Sequence, residues 1–156
     1  MGYREFTIEG RNAVMEAFRS GKCIDKLFVL DGCQDGPVLS IKREAKKQDT
    51  LIRYVDKERL DQLSETGKHQ GVIAYAAAYE YAEVEDIMAL AKERGEEPFI
   101  WLLDNIEDPH NLGAMIRTAH QAGAHGVIIP KNRAVGLTAT VARTSAGALN
   151  YLPVAK

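Results

Sequence analysis

Apolar positions recur along this chain at two periods, about 3.6 residues in some stretches and two in others, with turn residues between them. From Glu9 to Arg19, the apolar Ala13, Val14, Ala17 and Phe18 share one face and Ser20-Gly21 follows, which predicts a helix. Ile24 to Leu30 alternates and stops at Asp31-Gly32, the pattern of a strand and its turn. Pro37 to Gln48 returns to the helical period, with Val38, Ile41 and Ala45 turned inward and Lys42, Arg43, Lys46 and Lys47 outward. Leu51 to Val55 predicts a second strand, and Asp56 caps a third helix that runs to Thr66 with Leu60 and Leu63 facing in. After the polar Thr66-Gly-Lys-His-Gln70, Gly71 to Ala78 predicts a third strand. Helices and strands alternating at this length make an α/β sandwich.

The second half repeats that alternation. Phe99 to Leu103 is a continuous apolar run, short enough for a strand buried on both faces, and Asp104 to His110 is a polar loop. A helix follows, with Asp108 as N-cap, Pro109 in the first position, where a missing N–H is harmless, and Gly123 as its left-handed close. Leu112, Met115, Ile116 and Ala119 form its inward face, Arg117 points away, and Asn111 sits in the first turn beside the loop. Gly126 to Pro130 predicts a strand, Leu137 to Arg143 a short helix, Thr144 to Ala148 a tight loop, and Tyr151-Leu-Pro-Val the start of another strand. Strand, loop and helix N-terminus together form a place where open α/β sheets bind anionic ligands.

Charge locates the boundary between the halves. Residues 1–80 are neutral, 81–97 carry −4 and 98–156 carry +2. The acidic middle ends in Arg94-Gly-Glu-Glu-Pro98 and reads as a connecting helix flanked by linkers. The expected organisation is a domain over 1–78, a linker with a helix over 79–97 and a second domain over 98–156.

Composition excludes several classes. No apolar run approaches the length of a spanning helix, and Met1-Gly-Tyr-Arg-Glu5 lacks the apolar core of a signal peptide. Cys23 and Cys33, ten apart with no ligand at metal spacing, read as reduced thiols of a cytoplasmic protein. Asp104, Glu107 and Asp108 can be read as a magnesium site, but Asp108 suits a cap, Glu107 suits the helix dipole, and no phosphate-cradling glycine loop is present, so no metal is expected. His110 reads as an acid-base residue or as a solvated loop histidine. The cluster Lys42, Arg43, Lys46 and Lys47 reads either as a solvated helix face or as a phosphate contact for RNA.

Three segments carry a longer pattern: Asp104-Asn-Ile-Glu-Asp-Pro-His-Asn-Leu-Gly-Ala-Met-Ile-Arg-Thr-Ala119, Gly123-Ala-His-Gly-Val-Ile-Ile-Pro130 and Thr144-Ser-Ala-Gly-Ala148. They closely resemble the first motif region of the SpoU (TrmH) family, RNA ribose 2′-O-methyltransferases of the SPOUT superfamily that use S-adenosylmethionine. Ile8-Glu-Gly-Arg-Asn-Ala-Val14 and His69-Gln-Gly-Val-Ile-Ala74 resemble members with an N-terminal RNA-binding domain that modify a guanosine of large-subunit rRNA.

The resemblance implies a small α/β RNA-binding domain joined to the first half of an α/β trefoil-knot methyltransferase domain, which is a homodimer when full length. It implies that Arg117 contacts the substrate backbone and activates the hydroxyl, and that Asn111 positions it. A guanidinium binds phosphate and stabilises oxyanion charge readily but surrenders its proton reluctantly, so Arg117 is expected to be essential without being the base. It favours RNA contact by Lys42, Arg43, Lys46 and Lys47, and adds Arg11, Asn12, Lys68, His69 and Gln70, which lie at a helix start and in a polar loop. Asn150 stands where many relatives carry an acidic residue. The family's two further motifs, which form most of the cofactor pocket, are not in the sequence, so cofactor residues are unassigned. The chain is expected to be a truncated form, inactive alone, with apolar surface exposed. A non-catalytic RNA-binding protein and a nucleotide-binding enzyme are the competing readings.

Overall fold

The computed structural model describes residues 7–156, and the Met1–Glu5 stretch read above for a signal peptide lies outside the described residues. The described chain divides into two compact units, one ending at Ala77 and one over Ala78–Lys156.

In the first unit, β1 (Thr7–Glu9), α1 (Arg11–Arg19), β2 (Ile24–Leu30), α2 (Gly36–Lys47), β3 (Leu51–Val55), α3 (Lys57–Leu63) and β4 (Val72–Ala76) follow one another. The sheet order is β1-β4-β2-β3, with β2 and β3 parallel and the other pairs antiparallel. β2 is therefore central, and its alternation buries Leu27 and Val29 on one face. Val14 and Phe18 of α1 and Val38, Ile41 and Ala45 of α2 pack on the same core. Phe28 points the other way, edge-on to Tyr75 at 5.0 Å between ring centroids.

Caps fix the helix starts. The Asp35 side chain accepts from Val38 N–H ahead of α2, and Asp56 accepts from Arg59 N–H ahead of α3. Three expectations are corrected here. Ala13 is exposed, because the buried stripe of α1 is Val14, Ala17 and Phe18, with Met15 partly buried beside it, and Ala13 falls at the margin of that stripe. The third helix ends at Leu63 rather than Thr66, since Ser64 and Thr66 turn their hydroxyls onto the Glu9 carboxylate. β1 has no counterpart in the sequence reading; three residues carry no period, and only pairing with β4 makes them a strand.

In the second unit, α4 (Val84–Arg94), β5 (Ile100–Leu102), α5 (Pro109–Gln121), β6 (Gly126–Ile128), α6 (Ala139–Thr144) and β7 (Val154–Ala155) form a parallel sheet of order β5-β6-β7 with helices packed on it. The core joins Leu112, Ile116 and Ala119 of α5 to Val127, Ile129, Leu137, Val141 and Val154. Residues 79–97, expected as a linker with a helix, are integrated in this unit. Ala82 bridges to Ala155, Tyr81 Oη accepts from Leu137 N–H at 2.9 Å, and Ile87 and Ala91 of α4 are fully buried. Gly126 lets α4 come close, because a Cβ there would lie 2.5 to 2.7 Å from three atoms of Ile87.

The strand expected to be buried on both faces is an edge strand instead. β5 pairs only with β6 among the described strands, and Leu102 is 76% exposed. An apolar run reports hydrophobicity and is silent about what covers it. Phe99, Met115 and Tyr151 are also exposed apolar side chains of this unit.

Candidate functional site

The parallel strands β5 and β6 run out at the same edge, and the loops that follow them meet there. Val135 N–H donates to the Ile106 carbonyl at 2.8 Å, and Arg133 Nη2 lies 4.0 Å from Asp104 Oδ1. From this edge α5 begins. One Asp108 oxygen accepts from both the His110 and Asn111 N–H groups, at 2.7 and 3.1 Å, so the cap expected from sequence is the one formed. Asp108 thus serves the helix, and Asp104 faces Arg133.

Asn111 is exposed in the first turn, with no side-chain partner among the described residues. Arg117 is exposed too and forms no ion pair among them. Six residues separate the two, which is about 9 Å along the axis and about 120° around it, so they flank the buried stripe of α5 on opposite sides. The helix does not bring their side chains together; a ligand spanning both would have to lie across it.

The inward face of α5 differs from expectation by one position. Met115 is 41% exposed, and Gly113 is buried in its place against α6. A Cβ on Gly113 would sit 1.8 Å from Thr144 Oγ1 and 2.7 Å from Thr144 Cβ. Thr144 belongs to the segment singled out in the sequence, and its contact explains the pairing: the glycine admits the α6 end, where Thr144 Oγ1 donates to Thr140 O at 2.8 Å. Gly147, with φ 86, then turns the chain into a short 3-10 turn over Ala148–Asn150. Asn150 Oδ1 accepts from Tyr79 Oη at 3.2 Å.

His125 is buried at the other end of these strands, just ahead of β6. Its Nδ1 accepts from Phe99 N–H at 3.0 Å, so Nε2 carries the proton and donates to Glu96 at 2.9 Å. The ring ties the segment after α4 to the start of β6.

The first unit gathers some of the sequence-predicted RNA residues and separates others. Arg11, Asn12 and Gln70 line one cleft of about 560 Å³, together with Leu30, Cys33 and Pro37. Gln70, with φ 51, caps α1 from a distance: its Oε1 accepts from Arg11 N–H and its carbonyl accepts from Arg11 Nε, both at 3.0 Å. The Arg11 guanidinium also pairs with Asp35. The Val38 N–H, with the Cys33 thiol and Arg11, holds the Asp35 carboxyl below its ordinary range despite partial desolvation. Asp35 and Cys33 were not among the expected site residues; the Asp-Gly-Pro start of α2 was the available signal for Asp35.

His69 is turned largely inward. It is 8% exposed, its Nδ1 accepts from Gly71 N–H at 3.0 Å and its Nε2 meets Asp61 at 2.9 Å, so the ring holds the loop from inside and presents nothing outward. Hydrogen bonds from Lys57 and then from His69 hold Asp61 below the ordinary carboxylate range. Lys68 is exposed beside it. On α2, Lys42 lies 5.0 Å over the Tyr54 ring and Lys47 pairs with Glu44, while Arg43 and Lys46 are exposed without ion pairs among the described residues. That face lies along the helix, away from its start at the cleft.

The described chain matches two family models. One, described as RNA 2′-O ribose methyltransferase substrate binding, covers residues 7–82, and the other, the SpoU rRNA methylase family, covers 98–156. YacO of Bacillus subtilis (strain 168), named for the TrmH family of tRNA/rRNA methyltransferases, is 50% identical over 147 residues, covering 94% of this chain and 59% of that protein. A Staphylococcus saprophyticus protein of the same family name is 43% identical over 150 residues, covering 96% and 60%. The chain thus spans about three fifths of the length of these relatives. Among solved structures, the SpoU methyltransferase AviRb from Streptomyces viridochromogenes, in complex with AdoMet, is 24% identical, with 96% of this chain and 54% of that chain covered at a TM-score of 0.42. That overlap carries no argument about the site. Both units are matched by models of one enzyme family, in the order that the relatives share, and the chain belongs to the SpoU (TrmH-like) methyltransferase family.

Proposed function

We propose that the chain supplies the RNA-binding unit and the leading part of the catalytic unit of an S-adenosylmethionine-dependent ribose 2′-O-methyltransferase. Its substrate is RNA, with a guanosine of large-subunit rRNA as the specific target, and the full-length protein works as a homodimer in the cytoplasm. The observation that carries this reading is α5: a capped helix rising from the C-terminal edge of a parallel sheet, with the Asn111 amide and the Arg117 guanidinium both exposed and unpaired among the described residues.

Methyl transfer to a ribose needs the hydroxyl held in line with the methyl donor while it loses its proton. Arg117 suits a phosphate or the developing oxyanion, and the Asn111 amide can donate to one substrate oxygen and accept from another. S-adenosylmethionine supplies the methyl group. The donors at this edge do not enclose such a cofactor: Asp104 and Arg133 face solvent, as does Leu102, whereas ligand sites bury most of their ligand. No residue here is assigned to hold it.

The test is transfer of labelled methyl from S-adenosylmethionine to rRNA by the full-length protein and its Asn111→Ala and Arg117→Ala variants. Arg117→Ala is expected to lose at least about 100-fold in rate, the usual loss when a charge-stabilising donor is removed. Both variants should unfold at the parent midpoint, because neither side chain is buried or paired. Full activity in Arg117→Ala sinks the proposal, and absence of methylation in the parent leaves a non-catalytic RNA-binding protein.

A further inference from the structure

We infer that the cleft in the first unit receives one unstacked nucleobase of the RNA, an inference that rests on reading that unit as RNA-binding. Its volume of about 560 Å³ lies in the range of small-ligand sites, roughly 300 to 1,000 Å³. Its chemistry selects a base over a phosphate. The Arg11 guanidinium, the one cation among the described residues that line the cleft, is already engaged by the Asp35 carboxylate and the Gln70 carbonyl. Asp35 keeps its charge because the Val38 N–H, the Cys33 thiol and Arg11 all bind the ionised form. Asp35 is outside the lining but bonded to two of its residues, Arg11 and Cys33, so an entering phosphate is repelled at short range, whereas a neutral planar group is not.

The walls match a base as well. Leu30, Cys33 and Pro37 supply apolar surface for its faces. The Asn12 amide, exposed and unpartnered among the described residues, supplies a donor and an acceptor for its edge, and the Gln70 Nε2 supplies further donors, since only its Oε1 is engaged. Proteins read RNA largely through bases splayed out of the stack, while phosphates position the chain. Arg43 and Lys46 begin seven or more residues into α2, about 10 Å along the helix from the cleft, and serve that second role.

The test measures fluorescence anisotropy of the 156-residue chain with two labelled dodecamers of equal charge, a random-sequence RNA and the same ribose-phosphate chain without bases. The abasic strand is expected to bind about tenfold more weakly, near the low end of what one buried base contributes. Asn12→Ala should weaken the random-sequence strand at least threefold and leave the abasic strand unchanged, whereas Lys46→Ala should weaken both alike. In parallel, the random-sequence RNA should slow N-ethylmaleimide labelling of Cys33 and leave Cys23 unaffected. Equal binding of both strands, or an Asn12→Ala variant that binds as the parent does, overturns the base pocket and leaves the RNA-binding reading standing. Failure of both strands to bind overturns both.

Discussion

Replacing Gly113 with alanine sets two effects against each other, and the geometry decides the sign. On an exposed helix the change stabilises by about 1 kcal/mol, because alanine loses less freedom on folding. Here the new methyl meets Thr144 Oγ1 at 1.8 Å, Thr144 Cβ at 2.7 Å and Ser145 N at 3.1 Å. Thr144 can swing its hydroxyl aside at the loss of the bond to Thr140 O, but its Cβ is fixed by the backbone of α6. The two helices must part by about 1 Å to restore ordinary contact distances. Overpacking of this kind costs about 1–3 kcal/mol, and two contacts below 3 Å place it at the upper end. Net destabilisation is then about 2 kcal/mol. With a urea dependence of about 1.5 kcal/mol per molar for a unit this size, the midpoint falls by about 1.3 M. The single tryptophan, Trp101, packs on this core, so its fluorescence follows the second unit alone. The same change should cost less in a Thr144→Gly background, which removes the obstructing Cβ. A midpoint at or above the parent's refutes the argument that Gly113 is there for close approach.

Other expectations follow from the same structure. Gly126→Ala should destabilise the second unit, read by Trp101 fluorescence, and Ile87→Ala should do so by about 2–5 kcal/mol; combined, they should cost less than their sum because the new methyl enters the space Ile87 vacates. Asp108→Ala removes the acceptor for two N–H groups of α5 and should cost about 1 kcal/mol by urea unfolding. His69→Ala leaves Gly71 N–H without its acceptor and should lower the first unit's stability by about 1–3 kcal/mol in far-ultraviolet circular dichroism melts, while Lys68→Ala should not. Burial pushes the Glu9 carboxyl up, but bonds from Ser64, the Glu65 N–H and Thr66 outweigh it, and Glu9, Asp35 and Asp61 all titrate below their unfolded range. Their contribution is therefore present above the ordinary carboxylate range and is lost as pH falls through and below it. The melting temperature should drop between about pH 5 and pH 2, and Glu9→Gln should flatten that slope; an unchanged slope would rule Glu9 out as a source.

The sequence was most legible where a local signal sufficed. β2 begins and ends where alternation does, β3 spans the stretch read as a strand, and Asp56 and Asp108 cap the helices that follow them, because a cap bonds within three residues of itself. The inward positions of α2 were correct for the same reason: Val38, Ile41 and Ala45 lie on one stripe of a twelve-residue helix whose polar face is unambiguous. On α5, apolar Met115 and small Gly113 compete for the buried side, and shape rather than hydrophobicity settles it in favour of Gly113.

What the amino-acid order determined by itself was the succession of helices and strands and the caps, which are written in spacings of a turn or less, and the motif that marks the family, which is a fixed order of residues along the chain. Tertiary structure alone decided that β1 is a strand, that residues 79–97 pack in the second unit and that β5 lies at an edge. It also decided that Gln70 caps a helix 59 positions away, that His69 turns inward, and that Arg11, Asn12 and Gln70 share one cleft. The physical reason is range: periodicity and capping act between near neighbours, whereas burial, edge pairing and a cleft depend on which distant segment arrives beside a residue, and no local pattern records that.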